Sequence, residues 1–235
     1  MFEVMDSLKT VELESELFSE PERIIITGCS GSGKTFFIEH LVRRYHMNFY
    51  KIVVNGPKNK LFHFDETKAK TVHYENEIQK IYNPMIEVDE IDLKRNEGKQ
   101  LLCIYDDMLE YVHCSDIIAN IFTRGRHKKI SVILLMQSYF PTSSGSRSLY
   151  PMIRNNTSVQ IFYKMRNIGE LNLIARRLEY DRASQQFLIN LFKEEIQNKR
   201  YGYVIIFQDE SNELLRYRNN FLSEDETPYQ TVFIK

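Results

Sequence analysis

No apolar run in this 235-residue chain approaches the roughly 20 residues that a membrane-crossing helix needs. A membrane span is therefore not expected. Cysteine is scarce: Cys29, Cys103 and Cys114 are odd in number and have no metal-ligand spacing. That pattern suggests neither a zinc site nor a disulfide framework, and a reducing intracellular setting is expected. The opening residues Met1 to Asp6 lack the basic start and apolar core of a signal peptide, so secretion is not expected either. Internal repeats and low-complexity tracts are missing too.

What is present is an ordinary globular composition, 43% hydrophobic and 27% charged. The length suits one large domain, or one domain with extensions. The net charge of −1 hides an asymmetry. Residues 124–218 hold 16 Lys+Arg against 8 Asp+Glu, and the remainder holds 15 against 24. A basic half is the footprint of a polyanion partner or an unevenly charged surface.

Along the chain, residues 1–21 read as an acidic arm. Arg23–Thr27 reads as a buried strand, and the pattern from Thr35 to Val42 as a helix. Strands are expected at 50–54, 71–74, 101–105, 130–136, 158–163, 203–207 and 213–217. Helices are expected at 75–82, 87–95, 117–122, 168–178 and 182–192. Strands alternating with helices predict an α/β fold with a mostly parallel central sheet flanked by helices. The expected divisions are an arm at 1–21, a domain at 22–218 and a tail at 219–235.

Between the first strand and the first helix stands Gly28-Cys29-Ser30-Gly31-Ser32-Gly33-Lys34-Thr35. This is the Gly-x-x-x-x-Gly-Lys-Thr spacing of a phosphate-binding loop in its strand–turn–helix setting. Gly28, Gly31 and Gly33 allow backbone angles and close approaches that a Cβ would block. The freed N–H groups, from Ser30 and Ser32 through to Phe36, then point at phosphate oxygens at a helix N-terminus. Lys34 is placed to reach β- and γ-phosphates, and Thr35 to hold Mg²⁺.

The strand at 101–105 ends in Asp106-Asp107. Carboxylates at the end of an apolar strand downstream of such a loop form the second half of an NTPase site. Asp106 is assigned to the Mg²⁺ shell and Asp107 to the attacking water. Gln137 ends the next strand, where a side-chain amide can sense the γ-phosphate. Arg124 and Arg126 between these strands have four open readings: the chain's own nucleotide, a neighbour's nucleotide, a nucleic-acid backbone, or solvated charge at a helix end. The segment from Tyr139 to Arg147 reads as a DNA-gripping loop or as plain surface.

No Asn-Lys-x-Asp base-reading motif is present, which argues against a GTPase, and no Ser-Gly-Gly signature, which argues against an ABC-type ATPase. A nucleoside or nucleotide kinase, a helicase and an NTP-switched assembly factor remain as alternatives.

The ordered set of the loop, Leu101–Met108, Thr123–His127, Ile130–Gln137 and Met152–Asn156 resembles the viral DNA-packaging ATPases of the FtsK–HerA type, over about residues 22–165. The resemblance implies a three-layer P-loop NTPase fold of the ASCE class. It implies an ATP-driven motor that packages double-stranded DNA into a preformed capsid, working as a hexameric or pentameric ring against the capsid vertex. ATP and Mg²⁺ are the implied cofactors. Lys34, Asp107 and Gln137 take catalytic roles, Thr35 and Asp106 hold the metal, and Arg126 is the trans arginine finger, with Arg124 and Arg154 as rivals. The implied location is intracellular, in a cytoplasmic virus factory or the nucleus, or with the virion.

Overall fold

A computed structural model describes residues 12–13, 17–56, 72–75, 83–88, 98–106, 115–140, 148–208, 216–219 and 230–233. The strands are β1 (Glu12–Leu13), β2 (Arg23–Thr27), β3 (Phe49–Asn55), β4 (Val72–Glu75) and β5 (Gln100–Tyr105). They continue with β6 (Ile130–Met136), β7 (Val159–Tyr163), β8 (Tyr203–Phe207), β9 (Tyr217–Asn219) and β10 (Gln230–Phe233). The helices are α1 (Lys34–Tyr45), α2 (Pro84–Glu87), α3 (Asp116–Arg124), α4 (Tyr150–Asn155), α5 (Ile168–Leu178) and α6 (Arg182–Phe192).

The ten strands among the described residues form one sheet in the order β1-β10-β9-β8-β7-β2-β6-β5-β3-β4. From β7 to β4 every pairing is parallel. The other four strands extend the β7 edge in antiparallel fashion. The terminal segments 1–21 and 219–235 each contribute a strand, β1 and β10.

A parallel sheet covered on both faces needs strands that are apolar on both sides. β2, β5 and β6 meet this need, being buried from end to end apart from half-buried Arg23. Alternation divides them between two cores. Ile24, Ile26, Leu102, Ile104, Ile133 and Leu135 pack with Phe37, Ile38, Leu41 and Val42 of α1. Ile25, Leu101, Cys103, Val132 and Leu134 pack with Ile118, Ile121 and Phe122 of α3 and Ile153 of α4. α5 and α6 add Leu171, Ile174, Leu188 and Leu191 against Phe162, Val204 and Ile206.

Several elements differ from expectation. α1 continues three residues beyond Val42, because Arg43 and Arg44 favour the negative C-terminal end of a helix. The expected helix at 87–95 is not entered at Glu87. There α2 ends, and Val88 is extended; residues 89–95 lie outside the described residues, as do 76–82 of the helix expected over 75–82, whose first residue, Glu75, instead ends β4. Of the strand expected at 213–217, residues 213–215 lie outside the described residues, and Tyr217 begins β9, which runs on to Asn219. Phe18, in the acidic arm, is fully buried between the rings of Tyr45 and Phe49. Its carbonyl accepts hydrogen bonds from Asn48 Nδ2 at 3.0 Å and Gln100 Nε2 at 2.9 Å.

Because β2, β5, β6 and β7 are parallel, their C-terminal ends share one edge of the sheet. In open α/β sheets that edge is where ligand crevices form.

Candidate nucleotide site

The loop after β2 is built by backbone hydrogen bonds to both neighbouring strands. Gly28 N–H donates to the Met136 carbonyl at the end of β6 (3.1 Å), and Cys29 N–H donates to the Lys164 carbonyl just after β7 (2.8 Å). Gly31 and Gly33 have φ of +77° and +104°, the left-handed region that side chains rarely tolerate. Gly33 precedes α1, which has no side-chain cap and no acid in its first turn. The other long helices differ: Ser115, Asn167 and Asp181 cap α3, α5 and α6. α1 thus presents its positive end to a cavity.

That cavity has a volume of about 290 Å³. Ser30, Gly31, Gly33, Lys34, Thr35 and Phe36 line it from the loop. Asp106 and Gln137 line it from the ends of β5 and β6, beside Leu135 and Met136. Three segments far apart in sequence therefore meet in one crevice. Gly28 and Ser32 do not line it. Gly28 is the tight joint between loop and β7, and Ser32 is buried beside it with its hydroxyl lacking a hydrogen-bond partner. Asp107 lies outside the described residues.

Lys34 Nζ donates to the carbonyls of Gly28 at 2.5 Å and Cys29 at 3.0 Å, so the ammonium is held over the loop. Asp106 is almost fully buried, and its N–H donates to the Asn55 carbonyl at the end of β3 (2.9 Å). The Thr35 hydroxyl and the Asp106 carboxylate are hard oxygen donors facing the same cavity. Mg²⁺ at phosphate sites takes one or two protein oxygens and fills its shell with phosphate and water, so the donor set fits this ion.

Arg126 sits in a one-turn 3₁₀ helix before β6, exposed, at the N-terminal edge of the sheet. β6 has seven residues and spans about 20 Å. The guanidinium therefore lies a strand's length from its own loop and does not join this cavity. Arg124, at the end of α3, shares that edge. Arg154 of α4 is held elsewhere, with its guanidinium 5.4 Å from the Tyr139 ring, 5.9 Å from that of Phe140 and 5.8 Å from that of Tyr150.

An aromatic wall that no sequence motif signals stands behind the loop. Tyr163 packs on Tyr203 and Phe37, and half-exposed Tyr201 lies beside Gly33. Burial keeps the Tyr163 phenol protonated, well above the usual tyrosine range, and Tyr203 adds to the effect. No linear motif marks these tyrosines, since only the β7–β8 pairing brings them to the loop.

This glycine loop at a bare helix end, with an acid and an amide from adjacent strand ends, defines a P-loop NTPase fold. The profile of the family described as Poxvirus A32 protein matches residues 12–216. The chain belongs to that family. No curated protein matches it in sequence.

Solved structures share the architecture. The genome packaging NTPase B204 of Sulfolobus turreted icosahedral virus 2, in complex with sulfate, is 14% identical over 80% of this chain and 92% of its own, with a TM-score of 0.55. B204 of Sulfolobus turreted icosahedral virus, titled a DNA-packaging ATPase, is 17% identical over 80% and 93%, with a TM-score of 0.52. The cytoplasmic domain of the type VII secretion ATPase EccC from Thermomonospora curvata is 12% identical over 90% of this chain but 25% of its own, with a TM-score of 0.54.

Proposed function

We propose that this protein hydrolyses ATP and uses the energy to move double-stranded DNA into a viral capsid. The observation that carries the reading is the single cavity joining the loop Ser30–Phe36 to Asp106 and Gln137. A bare P-loop would indicate phosphate binding alone. An acid and an amide at adjacent strand ends add what hydrolysis requires. The family match and the packaging NTPases that share the fold support the choice of DNA as the moved polymer.

In this reading, backbone N–H groups at Gly31 and Gly33 and at the start of α1 cradle the phosphates. Lys34 leaves the loop carbonyls for the β- and γ-phosphate oxygens. Thr35 and Asp106 hold Mg²⁺, which when bound offsets phosphate charge. Asp107 accepts a proton from the attacking water, and Gln137 orients that water against the γ-phosphate. Arg126, whose place at the far edge of the sheet takes it away from its own loop, acts on a neighbour's nucleotide. The chain then works as a hexameric or pentameric ring at the capsid vertex, inside the infected cell. Loss of the γ-phosphate releases Gln137 and the neighbour's arginine together, and the subunits shift.

The test is steady-state ATP hydrolysis with and without double-stranded DNA, with nucleosides offered as phosphate acceptors. Hydrolysis stimulated by DNA is expected. Phosphate transfer to a nucleoside would replace this reading with a kinase, and hydrolysis indifferent to DNA would remove the motor.

A further inference from the structure

A second cavity, of about 610 Å³, shares no lining residue with the nucleotide site. It opens between the start of β7, the end of α4 and the α5–α6 turn, on the sheet face away from α1. Two fully buried polar side chains face it, Tyr139 and Gln160. Among the described residues, neither the Tyr139 hydroxyl nor the Gln160 side-chain oxygen makes a hydrogen bond of good geometry, although the two lie close enough for Gln160 to influence the phenol, and the buried Gln208 Nε2 at the cavity wall has no partner either. Buried polar atoms are nearly always paired, so three such atoms around one cavity point to a ligand that pairs them.

The charge of the cavity selects the ligand. Its two carboxylates are already engaged. Glu179 accepts from the Tyr217 hydroxyl and from Arg216 Nη1 at 3.0 Å. Asp181 caps α6 through the Ser184 N–H at 2.8 Å. The cations of Arg154 and Arg177 remain facing the space. Arg154 is pre-organised: three rings hold its guanidinium by cation–π contact, so little side-chain freedom is left to lose. The Tyr139 backbone is fixed as well, its N–H donating to Glu170 Oε1 at 2.6 Å.

We infer that this cavity is an oxyanion site, built to hold a phosphate group between Arg154, Arg177 and the Tyr139 hydroxyl. Gln208 Nε2 donates a further hydrogen bond. The Gln160 amide accepts from a protonated phosphate oxygen or, turned over, donates to a bare one. The group belongs either to free phosphate or to a nucleic-acid backbone, which carry the same chemistry.

The cavity is separate from the phosphate loop, so phosphate binding there survives loss of the loop lysine. Inorganic phosphate is titrated into Lys34→Ala, in which the loop lysine is gone, and binding is followed by calorimetry and ³¹P NMR. Saturable binding is expected. Arg177→Gln, at an exposed position where folding is safe, should weaken it several-fold. Arg154→Gln with Arg177→Gln should weaken it tenfold or more, with an unchanged thermal midpoint for Arg177→Gln as the folding control. Absence of saturable binding to Lys34→Ala, or equal affinity in Arg177→Gln, would overturn the site. Competition by a short DNA duplex assigns the phosphate to a nucleic-acid backbone, and lack of competition assigns it to the free ion.

Discussion

A Cβ placed on Gly28 would lie 2.5 Å from the Cβ of Tyr163, so the phosphate loop and strand β7 touch at a point where only glycine fits. The contact is rigid. It is made to the root of a buried side chain and not to a flexible tip, and the Gly28 and Cys29 N–H groups are pinned to β6 and to the residue after β7. Gly28→Ala must therefore push the loop off its strands. Overpacking of this kind costs about 1–3 kcal/mol. The expected outcome is a lowered thermal midpoint together with loss of ATP-analogue binding. Retained binding with wild-type stability would show that β7 yields to the methyl group.

Lys34 presents the opposite case, a side chain whose removal should spare the fold. Its ammonium caps the Gly28 and Cys29 carbonyls, but the loop itself is held by backbone bonds and by the left-handed glycines. Lys34→Ala should unfold within a few degrees of wild type. It should lose ATP hydrolysis by roughly a hundredfold or more, the scale for removing a donor aimed at transition-state charge. Equal collapse of the melting temperature and of activity would make Lys34 a structural residue first.

The position of Arg126, a strand's length from its own loop, makes a sharper demand. If it completes a neighbour's site, Arg126→Ala and Lys34→Ala damage opposite sides of one composite interface. Mixing the two inactive proteins then creates some interfaces with an intact loop facing an intact arginine. DNA-stimulated hydrolysis should reappear in the mixture, up to about a quarter of the wild-type rate for random assembly into rings, with Arg126→Ala alone lower by the roughly 10³ or more that an arginine finger supplies and Lys34→Ala alone by roughly a hundredfold or more. A mixture no more active than its parts would take Arg126 out of the trans role and bring Arg124 and Arg154 forward.

The contrast between these residues explains what was legible in the sequence. The loop 28–35 is local: its glycines, lysine and threonine carry their geometry in their spacing, and the apolar runs of β2, β5 and β6 identify themselves as strands buried on both faces. Asp106 and Gln137 could be placed because both end such runs. Phe18 could not, since nothing in the acidic arm indicates that its ring fills a gap between Tyr45 and Phe49. The antiparallel extension through β8, β9, β10 and β1 depends on pairings between the two ends of the chain, which no local pattern specifies. The second cavity has the same character. Tyr139 comes from the turn after β6, and Arg154, Gln160 and Arg177 come from α4, β7 and α5, whose packing brings them together.

Tyr139 also gives the fold a measurable response to alkali. Burial pushes its phenol up to about 12, outweighing the opposing pull of Arg154 and of the neighbouring Gln160 amide. In the unfolded chain the same phenol loses its proton near 10. Between those values the unfolded state binds fewer protons than the folded one, so stability must fall as pH rises. The contribution is complete below pH 10 and is lost by about pH 12, a change on the order of 2 kcal/mol. Tyr150 and Tyr163 are shifted in the same direction by burial, so the informative quantity is the difference between wild type and Tyr139→Phe. At pH 7 this variant loses only a hydroxyl that makes no hydrogen bond of good geometry among the described residues, and its stability should match or exceed wild type by up to about 1 kcal/mol. From pH 10 upward its urea midpoint should decline less steeply than that of wild type. Parallel declines would mean that the Tyr139 phenol is solvated in the folded protein, and the second cavity would lose one of its buried donors.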